Sequence, residues 1–520
     1  MTLRPTRRDF LADVGRGMLV AGVGWGAALD MGFASKAFGD EPVTPLHFGD
    51  HEALVALMQE THPDKLLPIL AEKLNAGTSL QTLLTAGVLA NGRSFGGEDY
   101  IGFHTLMALG PAYSMAQELP SDRRALPVLK VLYRNAARIQ ETGGHAQESL
   151  HAVSPIVGGE SVTAQDVREA ARRMDKVQAE KLLATLTAAS PEDGFNALLL
   201  EVADETEVHR VGLPYKAWDL LNIIGREHAL TMLRQSLRYC VKAEKNHNDT
   251  TRNTLAKVFD QFQLEGRTLG TKQPDDAWLS QMAMTFFTST PEQAAEAAAA
   301  ALVEGIDPDA IAEAAALAAN QLVLRDPGRP EKHSDKKKPA GSVHGDSVGV
   351  HSCDAINAWR NIAKVSNPRN RMAAVVLSAF QVARDRAHVD WSEDRLLKTN
   401  PRPWGDDLAS LVNSDAPQLL AEAEDAIRQN NQARAAAAVH RYGEVAGESR
   451  PVFDLLLKYA ISEDGALHAE KYYRTVSEEF ATSRPAFRWR QLTALARVTA
   501  SEYGYPAPGY SDACRLLKLS

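Results

Sequence analysis

The chain has 520 residues, of which 44% are hydrophobic, which is ample material for a large buried core. A formal net charge of -9 and the absence of any arginine-aromatic stripe argue against a nucleic-acid partner. Three cysteines, Cys240, Cys353 and Cys514, are too few and too scattered for a disulfide framework. There is no Cys-x-x-Cys, zinc-finger or haem-attachment spacing either, so packing has to hold the fold.

At the N-terminus, Arg4, Arg7 and Arg8 lie in or beside the segment Thr6 to Leu11, followed by the apolar run Met18 to Leu29 and the small residues Ala34 to Ala37. This pattern predicts a twin-arginine signal peptide over residues 1–37. The apolar run is shorter than the roughly twenty residues a bilayer span needs, so no stable membrane insertion is expected after cleavage. The expected partner is the Tat export machinery, and the expected location is periplasmic or otherwise extracytoplasmic. Because that route carries folded proteins, it raises the expectation of a metal or cofactor taken up before export.

From residue 50 onward nearly every segment has helical spacing, as in Leu126 to Ala137, Ala229 to Val241 and Gln491 to Tyr503, and few alternate with the strand period. The fold class expected is all-α, with repeated helical hairpins closing into one large helical domain over residues 45–520. Two alanine-rich helices, Pro291 to Val303 and Pro308 to Leu324, read as connectors or caps. The loop 326–346 holds three prolines and Lys336-Lys337-Lys338, and reads as exposed and mobile surface.

The informative feature is a repeat. Asp99-Tyr-Ile-Gly-Phe-His104 and Asp346-Ser-Val-Gly-Val-His351 share Asp, Gly and His at the same three places. Each histidine opens a helix, and a second helix follows 21 residues later, near Ala125 and Met372; after His468 the same spacing reaches Trp489. A looser copy runs from His209 through Ala217 to Ala229. The repeat units lie near 80–140, 195–245, 310–385 and 430–505. Such hairpins stack as an open solenoid, with histidines that merely start helices, or close into a bundle whose four histidines converge.

Four neutral imidazoles suit Fe, Zn, Cu or Ni, whereas calcium and magnesium prefer oxygen. His468-Ala-Glu-Lys471 puts a histidine and a lysine on one helix face. A lysine so placed is ordinarily solvated. It joins a metal site only if burial lowers its pKa, leaving a neutral amine to ligate or to capture carbon dioxide as a carbamate. Asp99 and Asp346 read either as helix N-caps or as residues that orient the imidazoles. His145 or His151 is an alternative to His209, and His344 to His351. His247, His333 and His440 look like surface residues and Cys353 like core filling. Trp218, Trp359 and Trp489 line a pocket or are simply core.

The stretch Glu463 to Val476, with its following helix ending at Ser501-Glu-Tyr-Gly-Tyr, resembles the His-x-x-Lys segment near the end of questin oxidase-like proteins. Gly102-Phe-His104-Thr-Leu-Met-Ala-Leu-Gly110 resembles that family's first histidine helix, and His209-Arg-Val-Gly-Leu-Pro-Tyr-Lys its central turn. The resemblance implies an all-helical oxygenase that uses dioxygen and one non-haem Fe(II) on anthraquinone-type small molecules. Carried over residue by residue, it implies His104, His209, His351 and His468 as metal ligands, with Lys471 as a carbamylated fifth. The competing expectations are zinc in a closed structural site, or an exported helical-repeat scaffold with no catalysis.

Overall fold

A full turn of helix every 3.6 residues buries one stripe of each segment, and the spacing of apolar residues along this chain repeats at that period. The computed structural model describes residues 44–157, 161–387, 393–412 and 415–519, and among them 24 α-helices and no strand. The fold is all-α. The signal-like segment 1–37 lies outside the described residues, and no described helix is long and apolar enough to cross a membrane. Leu46–Ser520 behaves as one unit.

Ten helices build its centre: α1 (Leu80–Phe95), α2 (Tyr100–Gln117), α3 (Ala125–Glu141), α4 (Val208–Ile224), α5 (Ala229–Ala243), α6 (Pro308–Arg325), α7 (Val348–Val365), α8 (Pro368–Arg386), α9 (His468–Thr482) and α10 (Trp489–Glu502). The four histidine-bearing helices each pack on the helix that follows them, giving hairpins α2/α3, α4/α5, α7/α8 and α9/α10. The second helix of the third hairpin starts at Pro368 rather than near Met372. Asn367 caps it, and a proline at its first position suits the helix start.

The hairpins close on themselves. α2 packs on α4, α4 on α7, α7 on α9, and α9 back on α2. Cross-links between helices fix the direction of travel: Thr475 Oγ1 donates to Asp354 (2.7 Å), Asn357 to Glu479 (3.0 Å) and Asn361 to Glu478 (3.1 Å). Each joins residues at similar depth beyond His351 and His468, so α7 and α9 run in parallel away from their histidines. Tyr215 on α4 reaches the same Glu478, at 3.1 Å. An open solenoid would not bring the first and last of these helices together.

The second alanine-rich helix is not peripheral. Every residue of α6 from Ala310 to Leu324 is buried, and α6 packs on α7, α8 and α10. Side chains of one carbon let neighbouring helix backbones approach closely, which is why alanine dominates this crowded position. Arg497 of α10 seals its C-terminus by donating to the Val323 and Asp326 carbonyls. The loop 326–346 is exposed only in its middle. Ser342, Val343 and His344 are buried, and Asp346 pairs with Arg329 and Lys338.

Candidate metal centre

Four helices in a ring, each with a histidine in its first or second turn, bring four imidazoles to one place. His104 and His209 meet Nε2 to Nε2 at 3.1 Å, and His351 and His468 do the same at 3.1 Å. Ring centroids lie 5.3 Å apart for His104 and His468 and 5.7 Å for His209 and His351, so all four edges of the square are closed. The histidines form two tight pairs facing each other. No three of their nitrogens are as close as the one compact acidic set among the described residues, Glu201, Asp204 and Glu244, whose ligand atoms lie mutually within 4.8 Å.

The far nitrogens decide what the near ones can do. His104 Nδ1 sits 2.7 Å from the Tyr100 carbonyl, His209 Nδ1 2.6 Å from Glu207 Oε1, and His468 Nδ1 3.0 Å from the Ala466 carbonyl. A carbonyl or carboxylate only accepts, so each Nδ1 must carry the proton, and in a neutral ring Nε2 is then a bare lone pair. Were both rings of the His104/His209 pair neutral, two lone pairs would face each other at hydrogen-bond distance, which is repulsive unless a proton or a metal cation lies between them. Burial, with help from the Lys471 and His209 charges, pushes the His104 pKa down to about 2, so a proton in that gap is not held by His104. Burial also takes His351 down to about 3 and His468 well below its usual value. Two nitrogens bound to one ion at about 2.1 Å stand roughly 3.0 Å apart at a right angle and roughly 3.4 Å apart at the tetrahedral angle, and the 3.1 Å within each pair is nearer the former.

Local sequence explains how each ring is held. Asp99 caps α2 by accepting from the Gly102 N–H, and Arg138 holds its carboxylate. Glu207 caps α4, accepting from the His209 and Arg210 backbone N–H groups while it also takes the His209 ring proton. Burial would raise Glu207, but His209 and the Tyr239 hydroxyl, 2.7 Å away, hold it down at about 2. Ahead of His468 the chain takes three successive left-handed residues, Gly465, Ala466 and Leu467, two of which bear side chains. Such backbone costs about 1–3 kcal/mol per non-glycine residue, and it turns the Ala466 carbonyl onto His468. Gly345 lies so close to His468 that a Cβ there would sit 2.5 Å from the histidine Cβ.

Three residues on from each histidine the same helix face carries Met107, Gly212, Asp354 and Lys471. Met107 covers Gly212: its sulfur would be 3.5 Å from a Cβ at that glycine. Asp354 and Lys471 form the polar half of this second layer. Lys471 is 5% exposed, and burial, reinforced by the Lys216 charge, lowers its pKa to about 8. Burial raises the Asp354 carboxyl, against the pull of Lys471 and Thr475. A cavity of about 710 Å³ opens from the surface toward the first layer, reaching His209 past Tyr100, Phe103 and Tyr239. The Tyr100 and Phe103 rings lie over His104, with centroids 4.4 and 5.0 Å away.

The structure thus brings together His104, His209, His351, His468 and Lys471, and leaves the other histidines elsewhere. His145 is half exposed and pairs with Glu148, and His151 contributes its carbonyl to Arg234. His344 is buried behind His468, between Asp346 and Glu502. His247 and His333 are exposed and His440 is partly covered; His247 and His440 pair with glutamates. Asp99 is an N-cap; Asp346 is not, because Ser347 caps α7. Cys353 is buried beside Tyr472 with its thiol pushed well up, so it is core and not a thiolate. The tryptophans are core as well: Trp218 stacks on Phe195, Trp359 donates to Gln381, and Trp489 packs on Phe480.

Sequence reasoning missed Asp354, Glu207 and Lys216. Asp354 had a signal, since His351-x-x-Asp354 repeats the His468-x-x-Lys471 spacing. Glu207 and Lys216 had none, because their roles depend on how α4 is rotated in the ring. No protein-family model, curated protein or solved structure matches the chain.

Proposed function

We propose that this chain is a metal-dependent oxidoreductase, a non-haem iron oxygenase that acts on an aromatic or quinone-like small molecule. Its Fe(II) would be held by His104, His209, His351 and His468, with Lys471 joining as a carbamate. The observation that carries the reading is the convergence of four imidazoles, paired Nε2 to Nε2 at 3.1 Å, in one place where burial holds His104, His351 and His468 below their usual pKa. Nitrogen ligands of this kind select a late first-row metal, and the resemblance to questin oxidase-like proteins favours iron among them. When bound, the iron would supply dioxygen activation.

The remaining work falls to side chains of this chain. Glu207 and the Tyr100 and Ala466 carbonyls keep protons on Nδ1 and point Nε2 inward. Tyr100, Phe103 and Tyr239 give the approach an aromatic wall that suits a flat, electron-rich ring. The same rings shield the histidines from bulk water. Export by the Tat route to an extracytoplasmic compartment is part of the proposal.

The test is elemental analysis of the exported protein beside His104→Ala and His468→Ala. Near-stoichiometric iron lost in both variants, with oxygen uptake on hydroxyanthraquinones, supports an oxygenase. Zinc in its place makes the centre structural or hydrolytic, and a metal-free protein leaves a helical scaffold.

A further inference from the structure

The cavity that reaches His209 has two unlike ends. Phe103 and Tyr239 line it beside His209, whereas its outer rim is the exposed segment 242–248, with Lys242 and Lys245. One stretch of chain joins the two ends. Tyr239 and Lys242 are three residues apart on α5, hence on one helix face and about 4.5 Å apart along its axis. Lys245 follows three residues later, in the 3-10 turn Glu244–Asn246, about 6 Å further on. A ring seated on Tyr239 therefore has two ammonium groups toward solvent within about 10 Å.

The charges along the cavity are not evenly compensated. Its three carboxylates are all engaged: Glu98 accepts from Lys176 and Arg238, Glu205 from Arg384, and Glu207 from His209 and Tyr239. Both arginines are engaged as well, Arg210 by Glu201 and Glu244, and Arg384 by Glu205 and Asp385. The lysines differ. Lys242 donates to a neutral group, the Glu98 carbonyl at 2.8 Å, and Lys245 makes no hydrogen bond or ion pair with a described residue. With every carboxylate paired, these two ammonium groups are the uncompensated charge of the cavity. Its volume of about 710 Å³ lies within the range that holds small organic ligands.

We propose that the cavity selects an aromatic acid, with the flat ring against Phe103 and Tyr239 and the acid group held at the rim by Lys242 and Lys245. This narrows the aromatic or quinone-like molecule of the proposed function, and it rests on that reading only in taking this cavity as the approach of the substrate. Ammonium groups on flexible stems suit a single anionic substituent held near solvent, where a rigid guanidinium fork is not required.

The full chain is titrated calorimetrically with 2-naphthoate and with 2-naphthamide, which has the same ring and no charge. The variants are Lys242→Gln with Lys245→Gln, Lys242→Arg with Lys245→Arg, and Phe103→Leu. Wild type should bind the acid about fivefold or more tightly than the amide, the range for two exposed ion pairs, and added salt should narrow that gap. The double glutamine variant should lose the gap while binding the amide as wild type does, and the double arginine variant should keep it. Phe103→Leu should weaken both ligands alike. The proposal is overturned if neither ligand binds, if the acid binds no tighter than the amide, if the gap survives both glutamines, or if Phe103→Leu leaves both ligands unaffected. Because both lysines are exposed, the glutamine variant should melt with wild type; a lost gap with Tm lower by more than about 4 °C makes the lysines structural and also overturns it. Iron content of the same preparations reads the metal centre separately. Acid selectivity without iron leaves this inference standing and removes the oxygenase, and iron without acid selectivity does the reverse.

Discussion

Two buried polar clusters lie within a few residues of each other on the chain, and they are built on opposite plans. Around Asp204, which is wholly buried, Arg168, Arg172 and Arg252 converge, while Arg210 bridges Glu201 and Glu244. Cations and carboxylates nearly balance, and the arginines occupy the space a metal would take between the acids. The compactness of that acidic group therefore reflects ion pairing. The histidine cluster, one residue away at His209, has imidazole nitrogens facing one another at 3.1 Å and a buried Lys216 amine without a hydrogen-bond partner. A balanced cluster is complete without a ligand; an unbalanced one is stabilised only when something else arrives. Burial alone does not separate the two, and the count of donors against acceptors does.

Breaking each cluster should have opposite consequences. Asp204→Ala strands three arginines and should cost about 3–5 kcal/mol, the loss expected when one partner leaves a buried ion pair. Denaturant titration measures it, with iron per folded chain unchanged. His468→Ala, by contrast, should change metal-free stability by less than about 1 kcal/mol while abolishing iron retention. Comparable destabilisation by both substitutions would erase the distinction drawn between the clusters.

Acid sharpens the same comparison. The folded pKa values of His104 and His351, about 2 and about 3, lie below the unfolded value near 6.5. As pH falls through 6.5 the unfolded chain takes up protons that the folded chain refuses. Stability is thus full above pH 6.5 and is lost progressively toward pH 3 and pH 2. The slope is about 1.4 kcal/mol per pH unit for each imidazole. Urea midpoints of the metal-free protein between pH 7 and pH 5 should fall steeply, and His104→Ala should remove about one imidazole's share. An unchanged slope would mean that the histidines are not held neutral.

Much of this architecture was legible and some was not, for physical reasons. Helical periodicity and the 21-residue spacing after His104 and His468 identify the hairpins, because burial of one stripe is written into local sequence. Ring closure is not local: nothing in the spacing of His104 says that α2 will meet α9. The same limit hid Lys216, whose charge reaches Lys471 only because of the rotation of α4. Composition misled at α6, where alanine signals close backbone approach and not a connector. At the loop 326–346 the lysines described the tip correctly, but the buried Val343 and His344 that anchor it carried no compositional mark. Asp354 is readable from the repeat, because His351-x-x-Asp354 has the spacing of His468-x-x-Lys471 and places both residues one turn beyond their histidines.

Glu207→Gln tests how strongly the carboxylate behind His209 supports the histidine cluster, since Glu207 both caps α4 and accepts the His209 ring N–H. An amide still accepts through its oxygen but carries no charge. On the iron reading, affinity should drop about 10–100-fold, the loss expected of a carboxylate behind a metal-bound histidine. Competition with a chelator reads this out, and the metal-free melting point should move little. Tyr239→Phe, which removes one hydrogen bond to Glu207, should weaken iron in the same direction by less.

The smallest expected effect belongs to Asp99, five residues before its histidine as Asp346 is before His351. The shared spacing suggests a shared role, yet Asp99 spends one oxygen on the Gly102 N–H and both on Arg138, while Asp346 leaves capping to Ser347. His104 already has its Nδ1 partner in the Tyr100 carbonyl, so Asp99 has no ring to orient. Asp99→Ala should therefore cost about 1 kcal/mol of stability, the usual loss of an N-cap, and leave iron affinity within a factor of about three. Restoring the cap with Asp99→Ser should recover most of that loss, because a hydroxyl can accept from the Gly102 N–H. A tenfold fall in iron affinity without loss of stability would instead make Asp99 a positioning residue for the metal centre.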